Sequence, residues 1–167
     1  AREVVMPGQP TLTQIQKTFG DWVLLDNGEL NRRALREHIF KEPTARKALE
    51  SITHPAIRNS IIQQLNAAQS PYVVLVSPLL FETNQHELTN RTLLIDASEE
   101  LQIQRASQRD GQNIEQIKNI IQVQMPRIEK QKRANDIVLN DGHLDHLYKQ
   151  LIPLHEKYLA LSKSSLN

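Results

Sequence analysis

The sequence has 167 residues, of which 39% are hydrophobic and 23% are charged, a balance typical of one soluble globular domain with an ordinary core. The 20 lysines and arginines stand against 19 aspartates and glutamates, so net charge gives no reason to expect nucleic acid or an anionic membrane as the main partner. The absence of cysteine excludes disulfides, thiolate metal sites and a cysteine nucleophile, and no apolar run approaches a membrane span.

The first part of the chain predicts short helices separated by turns. Residues 1–5 have the pattern of the last turns of a helix that closes at Pro7-Gly8, because no capping residue precedes them. The stretch TLTQIQKTFG has apolar residues at helical spacing and predicts a helix that ends at Gly20. A short extended piece with a turn at Asn27-Gly28 is expected next, and Asn31 is expected to cap the following helix.

The spacing of apolar residues changes in the middle of the chain. A long helical pattern covers residues 43–67, and Pro55 inside it is expected to kink or break the helix. Continuous apolar runs then occur within residues 71–78, 91–98 and 136–141. Such runs are typical of strands buried on both faces of a parallel sheet. Because helical patterns lie between them, the sequence predicts an α/β fold with a mostly parallel sheet.

The later helices have recognisable ends. Ser98 and Asn113 are expected to cap the two helices that follow them. Two short helices are expected to meet near Met125-Pro126, and the tail at residues 143–163 is helical with an interruption expected at Pro153. These boundaries leave three loops directly after the predicted strands.

Ligands of open parallel sheets bind beyond the carboxyl ends of the strands, so those loops are candidates for a functional site. The third run is followed by NDG. The first run is followed by Pro78, Leu79, Leu80, Phe81 and Glu82. On pattern alone, a packed loop with one surface glutamate is the simpler interpretation of this string.

Arg105 and Arg109 lie four residues apart near the end of the helix that follows the second run, just before Asp110-Gly111. Residues with this spacing share one helix face. One interpretation is a solvated last turn whose arginines complement the helix dipole. The other is a hinge that carries arginines to a phosphate chain, a ligand that the planar guanidinium binds with two parallel hydrogen bonds.

The order of motifs favours the second interpretation. The chain contains PGQPTLTQI, NGELNRRALREHIF, THPAI and VSPLLFE, followed by a strand, an arginine-ended helix, a basic helix and NDG. In this order the sequence resembles the dephospho-coenzyme A kinases, from residue 1 to about residue 160. The resemblance implies a P-loop kinase-like three-layer α/β fold with a parallel sheet. It also implies a single kinase domain over residues 1–167, with a helical substrate cap at about 26–67 and a helical lid at about 109–135.

The resemblance also implies an activity and roles for individual residues. Enzymes of this family transfer the γ-phosphate of ATP, with Mg²⁺, to the ribose 3′-hydroxyl of dephospho-coenzyme A, the final step of coenzyme A biosynthesis. Arg105 matches the catalytic arginine that faces the ATP phosphates, and Arg109 continues onto the lid. Gln124, Arg127 and Lys130 match further lid positions. The remaining matches are Asn140 and Gly142 near the adenine of ATP, and His54, Pro78, Leu80, Phe81 and Glu82 on the acceptor side.

The family pattern also requires a phosphate-binding loop, GxxxxGK[ST], which the five glycines of this sequence do not form. In the family this loop stands on the first strand, and the aspartate that activates the acceptor lies a few residues before the position that Ala1 matches. Both are expected upstream of Ala1, so we expect turnover from the intact protein and none from the sequence as printed. We expect the intact protein to be cytoplasmic, without nucleic-acid or membrane partners.

Three alternatives remain open on the sequence. The basic helix at residues 127–133, RIEKQKR, could bind nucleic acid, although few aromatic residues accompany it. The chain could belong to a related P-loop kinase with another nucleoside or cofactor as substrate, or to a catalytically dead binding module. His143 and His146 are three apart, but no third metal ligand is evident nearby, and we assign no metal ligand in this chain.

Two structural expectations follow from the family interpretation. The lid should form a mobile unit over residues 109–135, because it has many charges and few large apolar groups. The runs at 72–77 and 91–96 should lie roughly 10 Å apart, separated by the width of one absent strand. Direct hydrogen bonds between these two runs would contradict that strand order.

Overall fold

The computed structural model describes residues 2–110 and 113–164, apart from the side chain of Asp110. Gly111 and Gln112, on which part of the predicted break after Arg109 falls, lie outside the described residues. The chain divides into two compact units, Ala1–Ala68 and Gln69–Asn167. The predicted substrate cap falls in the first unit and the predicted lid in the second.

The first unit is helical. A 3₁₀ turn at Glu3–Val5 precedes helix α1 (Pro10–Phe19), which ends as predicted at Gly20, where φ is 94°. The predicted turn at Asn27-Gly28 is also confirmed, since Leu24 and Leu30 form an antiparallel bridge around it. Helices α2 (Arg32–Lys41) and α3 (Pro43–Ala67) complete the unit.

Local capping chemistry sets the start of α2. The side chain of Asn31 accepts a hydrogen bond from the Ala34 N–H at 3.1 Å, as predicted. This contact satisfies one of the amides that a helix leaves without an intrahelical partner in its first turn. The sequence predicted a kink or a break at Pro55, and the break does not occur, since α3 is continuous through that residue.

The core of the first unit explains why α3 continues. Proline removes one intrahelical hydrogen bond and normally disfavours a helix interior. Here Ile52, Ala56 and Ile57, on both sides of the proline, pack against the buried core. Burial of this helix face therefore offsets the local cost of Pro55. The buried core comprises Val4, Val5, Ile15, Val23 and Leu35.

The second unit contains a parallel pair of strands, β1 (Leu93–Asp96) and β2 (Asp136–Leu139). Leu93 is opposite Asp136, and the register continues to Asp96 opposite Leu139. Among the described residues of this unit, four α-helices accompany the strands: α4 (Glu99–Asp110), α5 (Ile114–Gln122), α6 (Arg127–Arg133) and α7 (Leu144–Ser164). The predicted α/β class with parallel strands is confirmed.

The helix caps predicted in the second unit are also confirmed. Ser98 Oγ accepts from the Leu101 N–H at 3.2 Å and starts α4. Asn113 Oδ1 accepts from the Glu115 N–H at 3.0 Å and starts α5. Each cap acts within three residues of itself, which is why the sequence alone predicts it.

The prediction of a strand at residues 72–77 is wrong for the observed structure. Residues 73–77 have no strand assignment, and no backbone hydrogen bond joins them to β1. Val74 and Val76 are 69% and 87% exposed, although the sequence predicted burial on both faces. A strand is defined by a partner ladder, and this segment has none among the described residues. The direct pairing with residues 91–96 that would have contradicted the predicted strand order is likewise not observed.

Helix α7 continues through Pro153 without the predicted interruption. The parts of the helix on both sides of the proline are attached to β2. Before the proline, the side-chain amide of Gln150 accepts from the Leu139 N–H at 3.0 Å and donates to the Leu139 carbonyl at 2.9 Å. After it, Lys157 and Tyr158 bind the side chain of Asp136. These tertiary contacts hold the helix together where its local hydrogen bonding is weakest.

Asp136, at the start of β2, collects three donors. Its carboxylate accepts from Arg91 Nε at 3.1 Å, Lys157 Nζ at 2.5 Å and the Tyr158 hydroxyl at 2.9 Å. Burial raises the pKa of Asp136, but the three hydrogen bonds and the charge of Arg91 outweigh it and lower this pKa to about 2. Burial and the neighbouring carboxylate raise the pKa of Tyr158 to about 12.

Candidate active site

Two predicted site residues meet at the carboxyl edge of the strand pair. The Asn140 N–H donates to the Asp96 carbonyl at 2.7 Å, which continues the strand pairing by one residue. Arg105 Nη1 donates to the Asn140 carbonyl at 2.6 Å. The arginine of α4 is therefore attached to the turn that follows β2. Of the five N–H groups of a guanidinium, this bond uses one.

Arg109 and Gly142 lie near this edge in the sequence. Arg109 is exposed in the last turn of α4, one turn beyond Arg105. Gly142 is exposed in the turn between β2 and α7. A Cβ atom added at Gly142 would lie 3.9 Å from His146 Nδ1, which is ordinary van der Waals contact. A residue with a Cβ atom would therefore fit at position 142 without a steric clash.

The acceptor loop, defined here as Pro78–Glu82, folds as a series of turns rather than an extended segment. The Leu79 carbonyl accepts from both the N–H and the hydroxyl of Thr83, at 3.1 Å and 2.7 Å. Phe81 is buried, and its ring packs against His86 with centroids 5.3 Å apart. Leu80 is half-buried and Pro78 is exposed. The buried ring of Phe81 therefore anchors the acceptor loop to the rest of the second unit.

Glu82 ends the acceptor loop and binds the predicted lid. Its Oε1 accepts from the Met125 N–H at 2.8 Å and lies 3.4 Å from Lys130 Nζ. Lys130 Nζ also donates to Gln124 Oε1 at 3.1 Å. Burial raises the pKa of Glu82, but the Met125 hydrogen bond and the Lys130 charge outweigh it, so the pKa lies below its ordinary value. The other oxygen, Oε2, is buried without a hydrogen-bond partner among the described residues.

Asp96 is a site residue that the sequence analysis missed. It ends β1, is 2% exposed, and accepts a two-point contact from Arg127 Nε and Nη2 at 2.8 Å and 2.7 Å. Gln131 Nε2 adds a third hydrogen bond at 2.7 Å. The Arg127 hydrogen bonds lower the pKa of Asp96 and raise the pKa of Arg127. An acidic residue directly after the apolar run LLI was the available signal, because strand ends carry site residues in such sheets.

These contacts change the interpretation of the basic helix α6. Arg127 binds Asp96, Lys130 lies against Glu82, and Lys132 pairs with Glu129 at 2.9 Å. Three cations of the proposed nucleic-acid surface are therefore paired with carboxylates. A phosphate-binding helix would instead present its cations to the backbone of the nucleic acid.

His54, the predicted acceptor-side residue of the first unit, lies exposed on α3 directly before Pro55. The fold thus brings together Arg105 with Asn140 and Glu82 with the lid residues. Across residues 2–110 and 113–164, no three His, Asp or Glu side chains are arranged to hold a metal ion. Over the same residues, no helix is long and apolar enough to span a membrane.

Comparisons with known proteins show the family of this chain. The family profile described as dephospho-CoA kinase matches residues 1–146. A dephospho-CoA kinase from Acinetobacter baylyi is 74% identical over 159 residues, which are 95% of this chain and 82% of that protein. The one from Psychrobacter cryohalolentis is 48% identical over 166 residues, 98% of this chain and 72% of the relative.

Solved structures have the same fold. The crystal structure of TT1252 from Thermus thermophilus is similar with a TM-score of 0.72 and 32% identity, over 87% of this chain and 74% of that one. The dephospho-CoA kinase from Campylobacter jejuni is similar with a TM-score of 0.64 and 27% identity, over 98% and 80% of the two chains. The family profile covers most of the sequence, and the relatives are similar over nearly all of it, so this chain belongs to the dephospho-CoA kinase family.

Proposed function

We infer that this protein catalyses the ATP-dependent phosphorylation of dephospho-coenzyme A, at the ribose 3′-hydroxyl, as the last step of coenzyme A biosynthesis. The observation that carries this inference is the family match over residues 1–146. The position of Arg105 at the carboxyl edge of the strand pair supports it, because ligands of parallel sheets bind at that edge.

Arg105 is the residue that we propose to act on the phosphates. Its contact with the Asn140 carbonyl fixes the guanidinium beside the turn that follows β2. A fixed arginine stabilises charge on a transferring phosphoryl group without reorganising during the reaction. Arg109, one helical turn further along, would add positive charge from the lid side. Asn140 and Gly142, in the turn after β2, would contact the adenine of ATP.

The acceptor loop is proposed to lie beside dephospho-coenzyme A. Pro78 and Leu80 offer exposed and half-buried apolar surface, and Phe81 holds the loop from beneath. His54 is proposed to act from the substrate cap at about residues 26–67. The lid, at about residues 109–135, would exclude water when it closes, which protects the phosphoryl group from hydrolysis.

Mg²⁺ is proposed to enter the site with ATP. The described residues offer no protein cage for a metal. Mg²⁺ is typically held by one or two carboxylates together with water and phosphate oxygens, and it neutralises phosphate charge when bound. A cytoplasmic location is proposed on the basis of the family match.

The test is substrate screening with the full-length protein. We expect ADP release that depends on dephospho-coenzyme A, and a product whose new phosphate is placed on the 3′-oxygen by phosphorus NMR. Phosphorylation of another nucleoside or cofactor in its place would identify a related kinase. Turnover of no acceptor, combined with salt-dependent RNA or DNA binding, would favour the nucleic-acid alternative.

Arg105→Ala is expected to lower kcat by roughly 10²–10³-fold, by analogy with the removal of other preorganised donors. Arg105→Lys should restore only part of the rate, because lysine lacks the planar fork. Arg133→Ala, which removes an exposed arginine from the end of α6, is the matched control and should leave kcat unchanged. Full activity of Arg105→Ala would exclude the assigned role.

A further inference from the structure

We propose that Glu82 is a positioning residue that ties the acceptor loop to the joint of the lid, so that α6 is the fixed base of the lid and α5 is the part that moves. This inference rests on the proposed function, because it concerns the same site. It gives Glu82 a task other than direct contact with the acceptor.

The joint of the lid, defined here as Val123–Pro126, lies between α5 and α6. The Met125 N–H falls outside both helices and donates to Glu82 Oε1 at 2.8 Å. The next residue, Pro126, has no N–H to offer. A carboxylate acceptor makes a stronger hydrogen bond to a backbone amide than a neutral group does, so Glu82 is a strong anchor for this joint.

Lys130 reinforces the same anchor from α6. Its ammonium group lies 3.4 Å from Glu82 Oε1 and donates to Gln124 Oε1 at 3.1 Å. The side chains of Glu82 and Lys130 are only 19% and 18% exposed. Shielding from water strengthens the attraction between their charges relative to an exposed pair. One carboxylate thus holds the joint through the backbone of Met125 and through the side chain of Lys130.

Asp96 supplies a second anchor for α6. It binds Arg127 at the start of the helix with two hydrogen bonds and Gln131 one turn later with a third. Helix α6 is therefore attached to the end of β1 through Asp96 and to the acceptor loop through Glu82. Both anchor points lie on segments outside the lid.

Among the described residues, helix α5 lacks such anchors, because its side-chain hydrogen bonds are local: Lys118 donates to Glu115, and the Glu115 N–H donates to Asn113. Only Ile117 is buried in it, whereas Ile114, Ile120 and Val123 at the joint are 49%, 51% and 78% exposed. A helix that is held by one buried side chain, without side-chain hydrogen bonds to other segments, opens at low free energy, whereas α6 is held by its hydrogen bonds to Asp96 and its contact with Glu82. The moving part of the lid is thus α5, a shorter segment than the 109–135 that the sequence suggests, and it pivots at a joint that Glu82 fixes. Because Glu82 belongs to the acceptor loop, any shift of that loop reaches the joint directly.

Amide hydrogen exchange of the full-length protein, resolved by residue with NMR, tests the anchor without an activity assay. In Glu82→Ala the Met125 amide loses its acceptor, and its exchange should accelerate by tenfold or more, the scale of one charged hydrogen bond. Glu82→Gln retains a neutral acceptor and should give an intermediate acceleration. The amides of α6 near Gln131 should stay protected by Asp96. Glu87→Gln, an exposed glutamate beyond the acceptor loop, is the control and should exchange like wild type.

Kinetics then separate positioning from substrate contact. If Glu82 is a positioning residue, Glu82→Gln should lower kcat about tenfold with little change in KM for dephospho-coenzyme A. Adding Lys130→Met to Glu82→Gln should lower kcat little further, because the two residues act as a unit. A rise in KM at unchanged kcat, or additive effects of Glu82→Gln and Lys130→Met, would overturn the proposal. Unchanged exchange at Met125 in Glu82→Ala would also overturn it. The proposed function and the anchor can fail separately. If the wild-type protein does not phosphorylate dephospho-coenzyme A, and the Met125 amide nevertheless loses protection in the Glu82→Ala variant, the proposed function is refuted and the anchor is retained.

Discussion

The substitution Asp136→Asn tests how much the hydrogen bonds that attach α7 to β2 stabilise the fold. The carboxylate of Asp136 is 8% exposed and accepts hydrogen bonds from Arg91, Lys157 and Tyr158. These contacts lower its pKa from 3.8 to about 2. At about 1.4 kcal/mol per pKa unit, this lowering corresponds to about 2–3 kcal/mol of stability near neutral pH.

The sign of the pH dependence follows from the lowered pKa. The ionised form is favoured in the folded state, so its contribution is fully present above the unfolded pKa of 3.8 and is lost as the pH falls through about 2. The difference in unfolding free energy between wild type and Asp136→Asn should therefore be constant from neutral pH to about pH 4, and should shrink towards zero at about pH 2.

Urea unfolding followed by far-ultraviolet circular dichroism, repeated across this pH range, measures that difference. Asp145→Asn changes an exposed aspartate in the first turn of α7 and is the matched control. It should cost no more than a few tenths of a kcal/mol, in keeping with a surface charge near a helix end. If the two variants lose the same stability, or if the Asp136→Asn difference does not shrink below about pH 4, the ion-pair reasoning is refuted.

Two further predictions concern single contacts. Asn31→Ala removes the cap of α2 and should lower the free energy of unfolding of the first unit by about 1 kcal/mol. Urea unfolding followed by the fluorescence of Trp22 would detect this loss, and an unchanged free energy of unfolding would mean that the Ala34 N–H finds another acceptor. Asp96→Asn leaves Arg127 without its carboxylate and should accelerate hydrogen exchange across α6 at neutral pH. The difference in exchange between the variant and the wild type should become smaller as acid protonates Asp96 in the wild type. Equal exchange in both proteins at neutral pH would contradict the anchoring role of Asp96.

The features predicted correctly from sequence are those decided within a few residues. Gly20, Asn31, Ser98 and Asn113 each end or start a helix through a neighbouring backbone group, and each is found where the pattern predicted it. Arg105 was predicted at the start of the lid, and the structure attaches it to the turn after β2. Whether it contacts ATP stays a prediction.

The features missed from sequence depend on contacts between distant residues. Pro55 and Pro153 carry a local cost, but packing and side-chain contacts made elsewhere keep their helices continuous. The apolar run at residues 72–77 has strand character in its composition, yet a strand also requires a partner, which no single segment can specify. Asp96 was overlooked because its partner Arg127 lies 31 residues away.

Gln150 blocks part of the open edge of the strand pair, at which a strand of another molecule could otherwise add. Its side-chain amide both donates to and accepts from the backbone of Leu139, as the peptide group of an adjacent strand would. The last residue of β2 therefore has no open hydrogen-bonding groups on the side facing away from β1. Open strand edges are templates for unwanted pairing with other molecules. One glutamine on α7 thus gives this corner of the sheet protection against aggregation, at a place where the exposed side chain of Leu139 would otherwise favour it.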